Sequence, residues 1–231
     1  MKTLNRFLVG GMVALLGIFP AKTKSQIHGN FSSALKSNYI AKGYVLGKGP
    51  HKQDAIVLGT KGFDTIFWSD YDFGRKLLQE IDLGVKYSKN VKGGLSAGVG
   101  YLYMWYPEGL ADNVPNANLH YQGKINANLN LSWFMKNKLI PNGIVAEVNI
   151  SRTEEWKNFS ITGNLKSILV NNFYRDSGIT GISPGIETAY RRNNFLIKAY
   201  LSQQFGFIQN PKILPPAKKQ LQGGVELTVD F

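Results

Sequence analysis

Three histidines are the side chains of this sequence best suited to acid–base chemistry, so their positions decide whether an enzyme is expected. Hydrolysis through a serine nucleophile needs a histidine base beside that serine. His28 lies just before the first predicted strand and His51 lies in a predicted loop. His120 is followed by Tyr121 and Gln122 where a serine would be wanted. We therefore expect His120 to be a polar lining residue, and a lipid-modifying enzyme is the least favoured class.

Metal, cofactor and phosphate sites find no support in the pattern either. The histidines are scattered and the chain has no cysteine, so no ligand set has the spacing of a metal site. The glycine-rich stretch from Gly93 to Gly100 lies within a predicted strand and precedes no helix, which excludes a phosphate-binding loop. The sequence predicts no cofactor, no metal and no nucleic-acid partner.

Charged side chains recur at alternate positions through much of the chain. Successive side chains of a β-strand point to opposite faces, so alternation separates an apolar face from a polar one. If the apolar faces meet lipid, the polar faces line an interior that carries seven basic and eight acidic residues. These predicted lumen-lining residues are Lys36, Lys42, Asp64, Asp70, Glu80, Asp82, Lys86, Lys124, Glu147, Lys166, Glu187, Arg191, Lys198, Glu226 and Asp230.

The last eleven residues show the alternation clearly. Leu221, Val225, Leu227, Val229 and Phe231 are apolar, whereas the even-numbered residues between them are small or polar. An amphipathic strand that ends on an aromatic residue resembles the last strand of bacterial outer-membrane β-barrels. The resemblance implies that Phe231 is an insertion signal and that this strand is recognised by the assembly machinery.

Twelve segments carry the pattern, which predicts an all-β chain folded as a single up-and-down antiparallel transmembrane β-barrel; ten or fourteen strands are the alternatives. The alternating run 118–135 exceeds the roughly 9–11 residues of one crossing, so we divide it by a turn at 126–128 that keeps the parity. The predicted strands are residues 31–45, 54–60, 63–73, 77–87, 94–105, 118–125, 129–135, 144–151, 158–169, 184–191, 195–205 and 221–231.

An even number of strands returns both ends of the barrel to the periplasm. The predicted periplasmic turns are 61–62, 88–93, 126–128, 152–157 and 192–194. The predicted external loops are 46–53, 106–117, 170–183 and 206–220. This topology places His120 near the external rim.

Residues 1–25 have the features of a secretory signal peptide. Lys2 and Arg6 form a basic start, and residues 7–21 form an apolar core. The alternative, an anchor helix, fits less well because the apolar run is shorter than a membrane span and contains glycine and proline. Removal of the segment lowers the formal charge from +12 to +8 and leaves residues 26–231 as one barrel domain. We therefore expect export and integral insertion in the bacterial outer membrane.

Aromatic residues gather towards the ends of predicted strands, where their amphipathic rings would meet lipid headgroups. The predicted girdle consists of Tyr101, Tyr103, Trp105, Tyr121 and Trp133. The soluble alternative is a secreted β-sandwich or lipocalin-like barrel with its apolar faces turned inward. It fits less well because the tyrosines and tryptophans gather at the strand ends and because the polar faces carry bulky charges.

Residues 29–107 resemble a poorly characterised group of bacterial outer-membrane β-barrels. The first strand of that group carries a Ser-x-Tyr-x-x-basic-Gly pattern, here Ser37, Tyr39, Lys42 and Gly43, with Lys42 where the group has arginine. Supporting motifs are Gly49-Pro50, Trp68-Ser69-Asp70, Glu80 with Asp82, and Tyr106-Pro107. The resemblance implies a fold and a location but no established activity.

The near balance of interior charges leaves two interpretations of function. A narrow polar lumen predicts a minor diffusion channel for small solutes. Paired charges that fill the interior predict a closed structural or partner-binding barrel of an envelope complex. The excess positive charge lies in turns and loops, where it could hold anionic lipid headgroups of the outer membrane. Those basic residues are Lys48, Lys52, Arg75, Lys76, Lys212, Lys218 and Lys219.

Overall fold

The computed structural model describes residues 27–42, 44–107, 109–135, 142–173, 176–207 and 219–231. Among them no helix is long and apolar enough to cross a membrane. The strands are β1 (His28–Ala41), β2 (Tyr44–Thr60), β3 (Phe63–Asp72), β4 (Leu77–Lys92), β5 (Leu95–Tyr106), β6 (Leu110–Tyr121), β7 (Asn126–Phe134), β8 (Gly143–Trp156), β9 (Phe159–Phe173), β10 (Asp176–Arg192), β11 (Phe195–Gly206) and β12 (Lys219–Asp230).

These strands form one closed sheet. Each strand pairs antiparallel with its neighbours in the chain, and β1 pairs with β12 from Asn30 opposite Asp230 to Lys36 opposite Gly224. Closure satisfies the backbone groups that a free sheet edge would leave unpaired. The prediction of a twelve-stranded up-and-down antiparallel barrel is confirmed. His28 and Asp230 lie at one end of the barrel, here termed the terminal end, and the connection from β1 to β2 lies at the far end.

Alternate side chains face outward and inward along each strand. On β11, Phe195, Ile197 and Leu201 are about half exposed on the outer surface, and Lys198 and Tyr200 between them are less accessible. The outer surface is thus a continuous apolar band, as a lipid-facing barrel requires and a soluble sandwich avoids. The soluble alternative, which needs these side chains inside, does not describe the barrel.

The first hairpin differs from the predicted strand 31–45 and loop 46–53. β1 ends at Ala41, and β2 includes the whole of the predicted loop. Lys42 has a φ of 52°, a left-handed conformation that suits a chain reversal. Gly49 and Pro50, whose types suggested a loop, fall where the β1–β2 register shifts, so they mark a bulge within a continuing strand.

The predicted loop at 106–117 and the predicted turn at 126–128 are also wrong. β5 ends at Tyr106 and β6 begins at Leu110; just before β6, Gly109 has a φ of 81° and its amide donates to the carbonyl of Tyr106. Pro115 is tolerated inside β6 because the pairing with β7 begins only at Asn116. The next reversal occupies residues 122–125, so Lys124 is exposed in a turn rather than lining the lumen.

Several other strands extend beyond their predicted ends. β4 continues to Lys92, β8 to Trp156 and β9 to Phe173, so the predicted turns 88–93 and 152–157 and loop 170–183 are shorter than expected. Polar side chains there indicated loops, yet the backbone pairing continues, for example between Glu155 and Ser160. The predicted signal peptide at 1–25 and most of the predicted loop 206–220 lie outside the described residues.

Candidate functional site in the barrel interior

A polar cavity of about 650 Å³ occupies the barrel interior towards the terminal end. Asparagine is its most frequent lining residue, and two serines, a histidine, two lysines and a glutamate complete the wall. The lining residues are Lys86, Ser88, Ser96, Asn116, Asn118, His120, Asn128, Asn130, Glu147, Asn149, Asn164 and Lys166. Of the predicted charged residues, Lys86, Glu147 and Lys166 therefore meet at this cavity.

Strand register explains why these side chains meet. Ser96 lies opposite His120, His120 opposite Asn128, Asn128 opposite Asn149, and Asn149 opposite Lys166. Because cross-strand partners share a face of the sheet, this row of five residues lines the interior from β5 to β9.

Two glycines of β5 leave room for the asparagines. A Cβ atom added at Gly98 would collide with the side-chain oxygen of Asn118, and one at Gly100 would lie 2.8 Å from that of Asn116. Small residues of this kind on the inner face of a strand leave open volume inside a barrel. The structure shows that part of that volume is filled by amide side chains.

The charges at the cavity are unequal. Glu147 contacts two ammonium groups, that of Lys166 at 2.6 Å and that of Lys42. Lys86 has no ion-pair partner among the residues that the structure describes. One carboxylate thus contacts two ammonium groups, and Lys86, which lies opposite Asp64 in the register without forming an ion pair, adds a third in a confined interior where screening by water is weaker than at a surface. This excess favours an anion in the cavity.

The far half of the interior is filled by apolar side chains. Tyr44, Val114, Phe134, Val145, Ile168, Val170 and Phe173 form a buried cluster. The alternation that predicts a polar lumen does not predict this apolar filling. A signal was present, because residues 144–146 and 168–170 are apolar on both faces, as in strands buried on both sides.

The turn between β1 and β2 is part of this filling. Tyr44 is fully buried, its ring lies 5.9 Å from that of Phe173, and its hydroxyl lies 3.0 Å from Asp176. Thr180 donates a 3.2 Å hydrogen bond to the carbonyl oxygen of Lys42. Residues 39–42 and 44–46 are termed the inner tip below. They contact β8, β9 and β10, which are not sheet neighbours of β1 or β2.

Predicted acidic residues lie buried beside the inner tip. Glu80 accepts a 2.6 Å hydrogen bond from Tyr39, and Asp70 lies 2.8 Å from the ring of His51. Asp70, Glu80 and Asp82 are each less than a tenth exposed. His51 is fully buried in β2 rather than in a loop, so this group of residues closes the far half of the interior.

The motifs that carried the family resemblance converge in the same place. The ring of Tyr39 lies 5.9 Å from that of Trp68 and 5.8 Å from that of His51. Asp70 and Glu80 belong to the buried acidic residues beside the inner tip, and Lys42 belongs to the tip itself. Residues that are separate in the sequence thus form one contact network inside the barrel.

The remaining predicted charges are arranged as pairs along the other wall. Lys198 lies 3.7 Å from Glu226, and Lys36 lies 5.9 Å from the ring centre of Tyr200. Half-buried Glu187 lies opposite Tyr200. At the terminal end, Arg191 binds Asp230 at 2.8 Å and His28 contacts Asp64 at 3.3 Å. Arg191 and His28 are exposed and Asp230 is partly exposed, so this group lies at the rim.

His120 lies in the cavity near the terminal end, not near the external rim, because β6 begins at residue 110 and runs to Tyr121. Ser96 is its register partner on β5, a relationship that the sequence spacing does not reveal. The described residues contain no group of His, Asp and Glu that could hold a metal ion. In the described part of the chain, no carboxylate binds the ring of His120 to complete a catalytic triad.

The predicted girdle residues lie on the outer surface but not in one ring. Tyr101, Tyr103 and Trp105 follow one another along β5, whereas Tyr121 lies at the terminal end and Trp133 at the far end. Each is more than a third exposed.

A second set of aromatic residues surrounds the terminal end and was missed. Phe63 and Tyr87 have ring centres 4.7 Å apart, and Phe159 and Tyr190 have ring centres 4.8 Å apart. Phe231 lies at the same end, is two-thirds exposed and exchanges two 2.9 Å backbone hydrogen bonds with Gly29. The members of each pair are cross-strand partners at the open end of a hairpin and lie far apart in the sequence, so no local spacing predicts them.

The sequence matches no family model and no curated protein sequence. The fold is similar to that of the NanC porin, with a TM-score of 0.60 and 10% identity over 87% of this chain and 98% of that chain. The KdgM porin gives a TM-score of 0.59 and 10% identity over 88% of this chain and 99% of that chain. An outer-membrane channel from Pseudomonas putida F1 gives 0.53 and 10% over 93% and 98%. The chain has the closed twelve-stranded antiparallel fold of porin-like barrels.

Proposed function

We propose that this protein is an outer-membrane diffusion channel for small polar solutes and that it prefers anions. The observation that carries the proposal is the 650 Å³ polar cavity within a closed barrel whose outer surface is apolar. A cavity of this size accommodates small solutes together with water. Its amide side chains supply both donors and acceptors to polar groups.

Anion preference rests on the unequal charges. Lys86 has no ion-pair partner in the described part of the chain, and Glu147 faces the ammonium groups of Lys42 and Lys166. Rings of basic side chains select anions in narrow pores because they lower the energy of a negative ion within the pore. The preference is therefore a property of the cavity rather than of the formal charge of the whole chain.

The membrane placement extends the same proposal. Residues 1–25 direct export, the terminal end faces the periplasm, and the strand that ends at Phe231 is recognised by the assembly machinery. Basic residues at the far end would contact anionic lipid headgroups. Lys52 and Arg75 there already bind Asp54 and Asp72 at 2.7 Å, so Lys48 and Lys76 are the stronger candidates for that contact.

Planar-bilayer recording of the purified full chain tests the channel. Discrete conductance steps are expected, with a reversal potential in a KCl gradient that shows chloride to be the more permeant ion. A barrel that inserts without producing steps would refute the proposal. A preference for potassium would support the channel function but would contradict the proposed anion preference.

A closed barrel in an envelope complex is the second candidate, and the filled far half of the interior favours it. Seven buried apolar residues occupy a cross-section in which a channel needs a path. Affinity purification of the tagged full chain from gently solubilised membranes tests this candidate. A stoichiometric partner together with silent bilayers would favour the closed barrel, and an isolated monomer that conducts would exclude it.

A further inference from the structure

We propose that the inner tip is a plug inside the lumen, that the ion pair between Lys42 and Glu147 locks it, and that the plug withdraws to open the barrel. The opening regulates the cavity and therefore rests, for its role, on the proposed channel function. The plug itself is a statement about structure that can be tested without transport.

The burial of the inner tip shows that it lies inside the barrel. Successive side chains of an ordinary barrel strand alternate between the interior and the outer surface. Tyr44 and Val45 are consecutive, yet Tyr44 is fully buried and Val45 is only 9% exposed. Both faces of the tip are therefore covered by protein.

Irregular pairing allows the tip to bend inward. The β1–β2 register shifts between Lys36 and Asn38 and again between Tyr39 and Ile40. Bulges of this kind bend a strand and increase its twist. The first shift lies directly before the tip and the second lies at its first residue, so the hairpin can leave the barrel wall there without breaking the pairing below.

The tip is held inside the barrel by the apolar packing of Tyr44 and by a set of polar contacts. Tyr44 reaches Asp176, Thr180 holds the carbonyl of Lys42, and Gln79 donates a 2.9 Å hydrogen bond to the carbonyl of Leu46. The side chain of Lys42 continues past these contacts to Glu147 on β8, at the edge of the cavity. This ion pair connects the plug to Glu147, one of the residues that line the cavity.

Lys166 makes the lock reversible. When Lys42 leaves, Glu147 keeps the ammonium group of Lys166 at 2.6 Å and is not left as a buried unpaired carboxylate. The ammonium group of Lys42 then enters water or binds an anion. Glu147 therefore keeps a charged partner both when Lys42 is bound and when Lys42 has left. A two-state element requires that both of its states be stable in this way.

A thiol probe under the plug tests the proposal. The chain contains no cysteine, so Val114→Cys introduces a unique thiol at a position that is 2% exposed and belongs to the cluster containing Tyr44. Labelling of the full chain with a charged maleimide measures how often this position becomes accessible, since labelling follows the population of the open state.

Adding Lys42→Met to Val114→Cys is expected to raise the labelling rate by about tenfold, the factor that corresponds to about 1.4 kcal/mol. Glu147→Gln is also expected to raise the labelling rate, and it can replace Lys42→Met in the experiment if Lys42→Met folds poorly. Lys198→Met is the matched control, because it removes one interior lysine that is paired with Glu226 but lies outside the tip. Equal labelling in all variants would overturn the plug.

Bilayer recording of the same variants separates the two proposals. Lys42→Met is expected to raise the open probability, and Lys198→Met is not. If no variant conducts, the channel function is refuted, and the labelling rates still test whether the inner tip is a plug that withdraws. If the wild-type chain and Lys42→Met conduct equally and label equally, the plug fails and the channel stands.

Discussion

The hydroxyl of Tyr39 on β1 donates a 2.6 Å hydrogen bond to Glu80 on β4, although two strands separate them in the sheet. The bond crosses the interior, and both side chains are buried. It fixes the base of the inner tip against β4. Interior contacts of this kind, together with the apolar cluster of Tyr44 with residues of β6 to β9, close the far half of the barrel.

Tyr39→Phe is expected to lower the free energy of unfolding by about 1–3 kcal/mol, because Glu80 loses its donor while the aromatic ring remains. Urea unfolding in lipid vesicles measures the loss. Tyr103→Phe is the matched control, since Tyr103 lies on the outer surface and is 37% exposed. Equal midpoints for the two variants would show that the interior bond contributes nothing.

The number of strands and the orientation of their faces could be predicted from the sequence because a period of two is a local property. Each predicted strand overlaps one observed strand, except that the first, 31–45, also includes the first two residues of β2. Leu119 and Leu129 lie opposite each other on the outward face as predicted, although the turn at 126–128 was misplaced. Strand ends were predicted less well, because polar residues beyond the apolar band continue the backbone pairing.

The interior closure could not be predicted in the same way. The alternation rule assumes that one face of each strand is exposed to water. It therefore predicts a polar lumen along the whole length of the barrel. The contact of Lys42 with Glu147 joins residues 105 positions apart, and it depends on a bend that local sequence does not specify. The consecutive apolar residues at 144–146 and 168–170 indicate strands that are buried on both faces, but the alternation rule does not take such runs into account.

Lys86→Met is expected to weaken the anion preference of the channel, because it removes an ammonium group at the cavity that forms no ion pair in the described part of the chain. The reversal potential in a KCl gradient should move towards that of potassium. Lys89→Met on the opposite face of the same strand is the control, since Lys89 is exposed and does not line the cavity. A larger shift for Lys89→Met would contradict the assignment of the selectivity to the cavity.

Gly98→Val is expected to reduce the conductance and to cost about 1–3 kcal/mol of stability, because the new side chain displaces that of Asn118 into the cavity. Gly163→Val provides the comparison, since nothing lies within 4 Å of a Cβ atom at Gly163. Single-channel recording and urea unfolding measure both effects. An unchanged conductance for Gly98→Val would mean that solutes do not pass along this wall.

Phe63 and Tyr87 are expected to stabilise the terminal end as a pair. A double-mutant cycle with Phe63→Ala and Tyr87→Ala should give a coupling energy of about 0.5–1.5 kcal/mol, because the rings lie 4.7 Å apart across two strands. Unfolding of the four proteins in vesicles supplies the values. Additive losses would show that the rings contribute only through their separate contacts with lipid.

Solute flux through reconstituted vesicles tests the central claim most directly. Vesicles that contain the full chain, suspended in an isosmotic solution of a small sugar acid salt, should swell faster than protein-free vesicles, and Lys42→Met should swell faster still. A neutral sugar of similar size should enter more slowly than the anion. Swelling no faster than that of protein-free vesicles, for the wild-type chain and for Lys42→Met alike, would contradict a channel function for this barrel.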